Sequence, residues 1–86
     1  MKTNHLMLQE LLKIYHPKSK GLLSSEEHEL VSRTLCLKEM DILQLRNLRD
    51  YTVASMCRSE KLEDWDRMSA ITYCIDWHIC KIGGEV

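Results

Sequence analysis

Phenylalanine is absent from the sequence, and only one proline and three glycines occur among its 86 residues. Leu, Glu, Lys, Arg and Met are abundant instead, and these side chains lose little rotamer freedom on a helical backbone. The composition therefore favours helices over β-sheet. One domain covering residues 1–86 is expected, and because so small a domain buries a modest share of its surface, we expect self-association to stabilise it.

Long hydrophobic runs are also missing. No stretch is long enough to span a membrane, and Gln9 and Glu10 interrupt the first apolar segment before it reaches the length of a signal-peptide core. We therefore expect a cytoplasmic protein that makes no membrane contact. In that compartment its four cysteines are expected to be reduced thiols and not a disulfide framework.

An excess of charge of either sign is missing too, since 12 basic and 13 acidic side chains give a formal net charge of −1. Proteins held on nucleic acid by bulk positive charge need many more basic groups, so direct nucleic-acid binding is not expected. The sequence has no Gly-rich phosphate loop, no G-x-S-x-G elbow and no H-E-x-x-H helix. We expect neither enzymatic activity nor a cofactor, and we assign no catalytic residue.

Apolar residues recur at three- and four-residue steps in four segments, which predicts an all-α, bundle-like domain of about four helices. The first helix is predicted over 4–15, and the loop 16–21, which contains the proline, ends it. The second begins at Ser24 or the next residue, because Glu27 follows Ser24 at the spacing of a capping box. The helical phase of the apolar residues changes at 38–41, which predicts a break between the second and third helices there.

The second half of the chain is predicted to hold the two longer helices. Asp41 is the expected N-cap of the third helix, which runs to about Arg58. Ser59 is the expected N-cap of the fourth, which covers about 60–82 and stops at Gly83-Gly84.

The fourth helix carries apolar residues on two sides. One stripe is predicted to face the core and contains Trp65, Met68, Ile71, Ile75, Ile79 and Ile82. A second group projects from a different side, near Ala70, and contains Leu62, Tyr73, Trp77 and Cys80. A single neighbouring helix cannot cover both sides, so the second group is either a partner or self-association interface, or is covered by the first helix.

Charged residues near this helix allow two interpretations. Arg49 lies at the edge of the apolar stripe of the third helix, with Arg46 beside it. Its head group either pairs with Asp50, Asp64 or Asp66, or is directed at an acidic or phosphate group of a partner. The run 60–66 joins several acids to Trp65, and is either a solvated first turn or a negative surface presented to a basic partner. The predicted interface therefore also includes Trp65, Asp66, Arg46 and Arg49.

A metal site is considered because Cys74 and His78 are four residues apart and can share one side of a helix. Two ligands do not make a tetrahedral site, and Cys80 lies well round the helix from Cys74. No paired C-x-x-C knuckles occur. We therefore predict no metal and interpret the thiols as buried or interfacial.

In its length, its helical pattern, its near-neutral charge and the side formed by Leu62, Tyr73 and Trp77, the chain resembles the small antirepressors of temperate bacteriophages. The resemblance rests on no signature motif and transfers no residue role. It implies a non-enzymatic, oligomeric regulator of transcription, which binds a phage repressor and displaces it from operator DNA.

The alternative is a small helical DNA-binding regulator, in which the segment around 38–41 is the turn of a helix-turn-helix. That motif places polar, base-reaching residues early in its second helix. Here the segment 41–45 is largely acidic or apolar, which weakens this alternative.

Overall fold

The computed structural model describes residues 3–15 and 23–83. Within them the protein is all-α and compact, with a Cα radius of gyration of 11.9 Å. The four helices are α1 (Asn4–Ile14), α2 (Ser25–Thr34), α3 (Ile42–Arg58) and α4 (Leu62–Ile82), and a short 3₁₀ helix (Leu37–Glu39) lies between α2 and α3. The predicted fold class and number of α-helices are confirmed. The predicted loop 16–21 lies outside the described residues.

Two of the predicted N-caps are confirmed as capping boxes. Ser24 accepts a hydrogen bond from the backbone N–H of Glu27, whose side chain accepts one from Ser24 in return. Asp41 and Gln44 make the same reciprocal pair at the start of α3. These bonds satisfy amides that have no partner inside the helix.

The predicted N-cap of α4 is wrong. Ser59 ends α3, where its hydroxyl donates to the carbonyl of Ser55, and α4 begins at Leu62 after Lys61, whose side chain makes no capping bond. Ser59 does not cap α4 because the helix begins two residues later than predicted, so that Lys61 and not Ser59 occupies the N-cap position. The other end agrees with the prediction, since Gly83 closes α4 in the left-handed conformation at φ 95°. Gly84 lies outside the described residues.

The break after α2 is longer than predicted. It occupies 35–41 and contains Cys36 at φ 56°, a left-handed conformation that few non-glycine residues adopt. This residue directly precedes the 3₁₀ helix, in which Leu37 is fully buried. The apolar spacing of the sequence carries no signal for such a conformation.

The core lies along α4, which packs most extensively on α3. Met68, Ile71, Ile75 and Ile79 are buried as the stripe predicts. Two other members of that stripe are at the ends of the helix and are exposed, Trp65 by 44% and Ile82 by 54%, so their placement in the core is wrong. The remaining helices complete the core with Met7, Leu8, Leu11, Val31, Leu35, Leu45 and Leu48.

Candidate functional site

Where helices α2 and α4 pack together, each helix contributes two polar side chains to the contact. His28 and Ser32 are four residues apart on α2, and Cys74 and His78 are four apart on α4, so each pair lies on one side of its helix. Ser32, Cys74 and His78 are buried, and His28 is half-buried. These four residues form the α2–α4 polar cluster.

Only part of this cluster is joined by hydrogen bonds. Ser32 Oγ lies 2.8 Å from His78 Nε2 and 3.6 Å from Cys74 Sγ. The Cys74 thiol also makes a long contact of 3.9 Å with the His28 carbonyl. The buried Nε2 of His28 has no hydrogen-bond partner among the described residues. One ring nitrogen of each histidine and Sγ of Cys74 all lie within 4.8 Å of one another.

The neutral forms of Cys74 and His78 are favoured. Burial raises the pKa of the Cys74 thiol, and its hydrogen bond with Ser32 opposes this only in part. Burial also lowers the pKa of His78, and the neighbouring His28 and Lys81 lower it further. A cysteine nucleophile needs the opposite arrangement, a thiolate stabilised by a nearby positive charge. The electrostatics therefore disfavour nucleophilic catalysis by Cys74.

Trp77 lies between this cluster and the outside of the protein. Its ring packs edge-on against His28, with the centroids 4.7 Å apart, and lies 5.0 Å from the ring of His78. Lys81 Nζ lies 4.8 Å from the centroid of the indole, close enough for a cation–π contact. These residues help to line a surface cleft of ≈ 450 Å³. The indole is 43% exposed, so it belongs to the surface and to the wall of the cluster.

The other candidate region is the solvent-facing side of α4, called here the outer face. It contains Leu62, Asp66, Tyr73, Trp77 and Cys80. Leu62 is 67% exposed and Tyr73 68% exposed, and Cys80 is exposed as well. The alternative in which the first helix covers this side is therefore wrong. Ala70 is buried and does not contribute to it.

Arg49 has a partner that the sequence argument did not name. Its Nε donates to Asp76 Oδ1 at 2.6 Å, across the α3–α4 contact, whereas Asp50 lies at 4.0 Å. Asp64 is paired instead with Arg67 at 2.7 Å. The structure thus assigns Arg49 a paired head group, and Arg46 is exposed on the same helix. Their roles in binding a partner remain predictions.

His28 and Ser32 are the site residues that sequence reasoning missed. The signal that could have found them is the phase of α2, because Ser32 and Leu35 follow His28 by four and seven residues. Those positions lie on the side of the helix that carries the buried Val31 and Leu35. A polar pair in that phase is expected to be buried and to need partners from another helix.

Comparisons with protein-family models, curated proteins and solved structures find no match to this chain. Among the described residues, none of the helices combines the length and apolarity that a membrane crossing requires.

Proposed function

We propose that the chain is a non-enzymatic regulator that binds another protein through the outer face of α4. The observation that carries this proposal is the exposure of Leu62, Tyr73 and Trp77 on one side of a long helix. Large aromatic and aliphatic side chains that remain exposed together are typical of protein-binding surfaces, where a few of them supply most of the binding energy.

The acidic side chains at the N-terminal end of this region favour a basic partner, whereas Lys81 lies against Trp77 at the other end. Asp66 lies on the outer face, and two further acids are exposed, Glu60 just before α4 and Glu63 in its first turn. Acidic groups around an apolar centre complement a basic surface and accelerate association with it. The DNA-contacting side of a repressor has this chemistry. The resemblance to antirepressors points to the same kind of partner. In its specific form, the proposal is that the chain binds a phage repressor and displaces that repressor from its operator.

Self-association is part of the proposal, because the outer face is also suited to contact a second copy of the chain. A symmetric dimer buries the same patch of both copies. Light scattering over a dilution series is expected to show a dimer or larger assembly. Tyr73→Ala is expected to shift it towards monomer, and a monomeric wild-type chain at all concentrations would remove this part of the proposal.

The DNA-binding alternative is less well supported. A helix-turn-helix joins its helices by a turn of three or four residues. Here seven residues, 35–41, separate α2 from α3, and the first turn of α3 exposes Leu43 next to the acidic cap Asp41. Salt-sensitive DNA binding by the isolated chain in a low-salt shift assay would favour this alternative.

The proposal is tested by operator release. Purified repressor from a prophage of the native host is bound to labelled operator DNA, and the chain is titrated into the complex. Release of the DNA near stoichiometry supports the antirepressor form. Leu62→Ala and Tyr73→Ala are expected to raise the required concentration at least about tenfold, because truncated interface anchors commonly lose about 2 kcal/mol.

Leu43→Ala is the matched control, since Leu43 on α3 is exposed by 68%, as much as Leu62. Trp77→Ala is expected to weaken release more than Asp66→Ala, because rim charges mainly alter association rate. If the variants are folded by circular dichroism, equal effects of Leu62→Ala and Leu43→Ala would exclude the outer face as the binding surface.

A further inference from the structure

The α2–α4 polar cluster has the composition of a transition-metal site. Two imidazoles and one thiol approach one another from two helices, with one donor atom of each residue within 4.8 Å of the others. Zinc and similar divalent ions bind imidazole nitrogen and thiolate sulfur, whereas magnesium and calcium prefer oxygen. The buried Nε2 of His28, which lacks a hydrogen-bond partner among the described residues, shows that this polar group is not fully satisfied within the protein.

We propose that His28, Cys74 and His78 bind a divalent ion of the zinc class. Along the sequence only Cys74 and His78 are spaced to share one side of a helix, and the packing of α2 on α4 supplies His28 as the third ligand. Cys80, which was considered for that role, is exposed and belongs to the outer face.

Binding requires a small closure of the cluster. Tetrahedral ligands at zinc distances are about 3.3–3.6 Å apart, so the donors must approach by roughly 1 Å. The two imidazole rings are stacked at 25°, and one of them must turn so that both nitrogen lone pairs point to the ion. Because the rings of His28 and His78 both contact Trp77, rotation of either one changes the surroundings of the indole.

The proton balance of the step is simple. The S–H bond of Cys74 breaks, its proton goes to solvent, and the thiolate forms the bond to the ion, while two neutral imidazoles each donate a lone pair. One proton is released per ion bound. Where the ring nitrogen that binds is Nε2 of His78, the Ser32 hydroxyl gives up its hydrogen bond to it.

Ser32 has a defined place in this site. Three protein ligands leave a fourth position for water, as in zinc sites that are open to solvent. Ser32 is the member of the α2–α4 polar cluster that is not a proposed ligand. Its hydroxyl lies within 3.6 Å of two ligand side chains, those of Cys74 and His78. Ser32→Cys therefore places a second thiol where it completes a four-ligand site.

The experiment is a cobalt titration under a phosphine reductant. Three exposed thiols are first removed in a background variant, Cys36→Ser, Cys57→Ser and Cys80→Ser, which leaves Cys74 as the one thiol. We expect a thiolate-to-cobalt charge-transfer band and tetrahedral d–d bands that saturate at one ion per chain. Zinc is expected to abolish them and magnesium to leave them unchanged.

Variants of this background decide which residues bind. Cys74→Ser is expected to remove the charge-transfer band, and His28→Gln and His78→Gln to weaken binding at least about tenfold each. Ser32→Cys is expected to tighten it about tenfold or more and to increase the band, a gain that loss of folding cannot imitate. With Trp65→Phe, Trp77 becomes the one tryptophan, and cobalt is expected to quench its fluorescence with the same affinity.

Three results would overturn the proposal. One is a folded background variant that shows no charge-transfer band. Another is an unchanged affinity in folded His28→Gln, since His28 is the ligand that only the tertiary structure supplies. The third is a Ser32→Cys variant that binds cobalt no more tightly than its parent.

Discussion

Tyr15 gives the most quantitative test of the described packing. It follows α1 and is only 1% exposed, and its hydroxyl has no hydrogen-bond partner among the described residues. Burial, and after it the nearby Glu27 and Cys74, raise the pKa of its phenol from 10.0 to about 12. The folded protein therefore holds the phenol neutral at a pH where the unfolded chain ionises it.

The consequence is a loss of stability at high pH. Because the folded-state pKa is the higher one, the contribution of Tyr15 is complete below pH 10 and is lost as pH rises from 10 to 12. At about pH 11, ionisation of this phenol in the unfolded chain lowers the free energy of unfolding by about 1.4 kcal/mol compared with neutral pH, which corresponds to one pKa unit. Tyr15→Phe removes this dependence. At neutral pH it is expected to change the free energy of unfolding by less than about 1 kcal/mol, because the hydroxyl lost has no partner in the described part of the chain.

Urea unfolding between neutral pH and about pH 11 measures both quantities. The difference in unfolding free energy between wild type and Tyr15→Phe is expected to change by about 1.4 kcal/mol over that range, in favour of the variant. Tyr73→Phe is the matched control, because Tyr73 is 68% exposed. A constant difference between wild type and Tyr15→Phe would refute the burial of the phenol, and a loss above about 2 kcal/mol at neutral pH would reveal a partner for it.

Two further perturbations test particular contacts. A double-mutant cycle on Arg49→Met and Asp76→Asn, measured by urea unfolding, is expected to give a coupling free energy of about 1 kcal/mol, since the 2.6 Å ion pair is partly buried. Zero coupling would mean that this ion pair does not form in solution. Ser24→Ala is expected to lower the unfolding free energy by about 1 kcal/mol and Ser59→Ala by clearly less, because Ser24 caps α2 and Ser59 does not cap α4; equal losses would contradict this assignment of the caps.

The sequence by itself determined the helices and most of their ends. Apolar residues at three- and four-residue steps can be buried together only on a helix, and side chains such as Ser24 and Asp41 bond to amides three residues away. These signals are local, so they can be interpreted without knowledge of the tertiary fold. The outer face of α4 was also predictable as a second apolar side, because helical phase alone separates Leu62 and Tyr73 from the core stripe.

Only the tertiary structure decided which elements meet. One such outcome is the start of α4, since the helix begins at Leu62 and leaves Ser59 two residues before its N-cap, where the hydroxyl donates to a carbonyl of α3. Asp76 became the partner of Arg49 because α3 lies along α4, a contact between residues 27 apart. His28 joined Cys74 and His78 for the same reason: ligands from two helices come together only when those helices pack, and helical spacing within one segment carries no information about its neighbour.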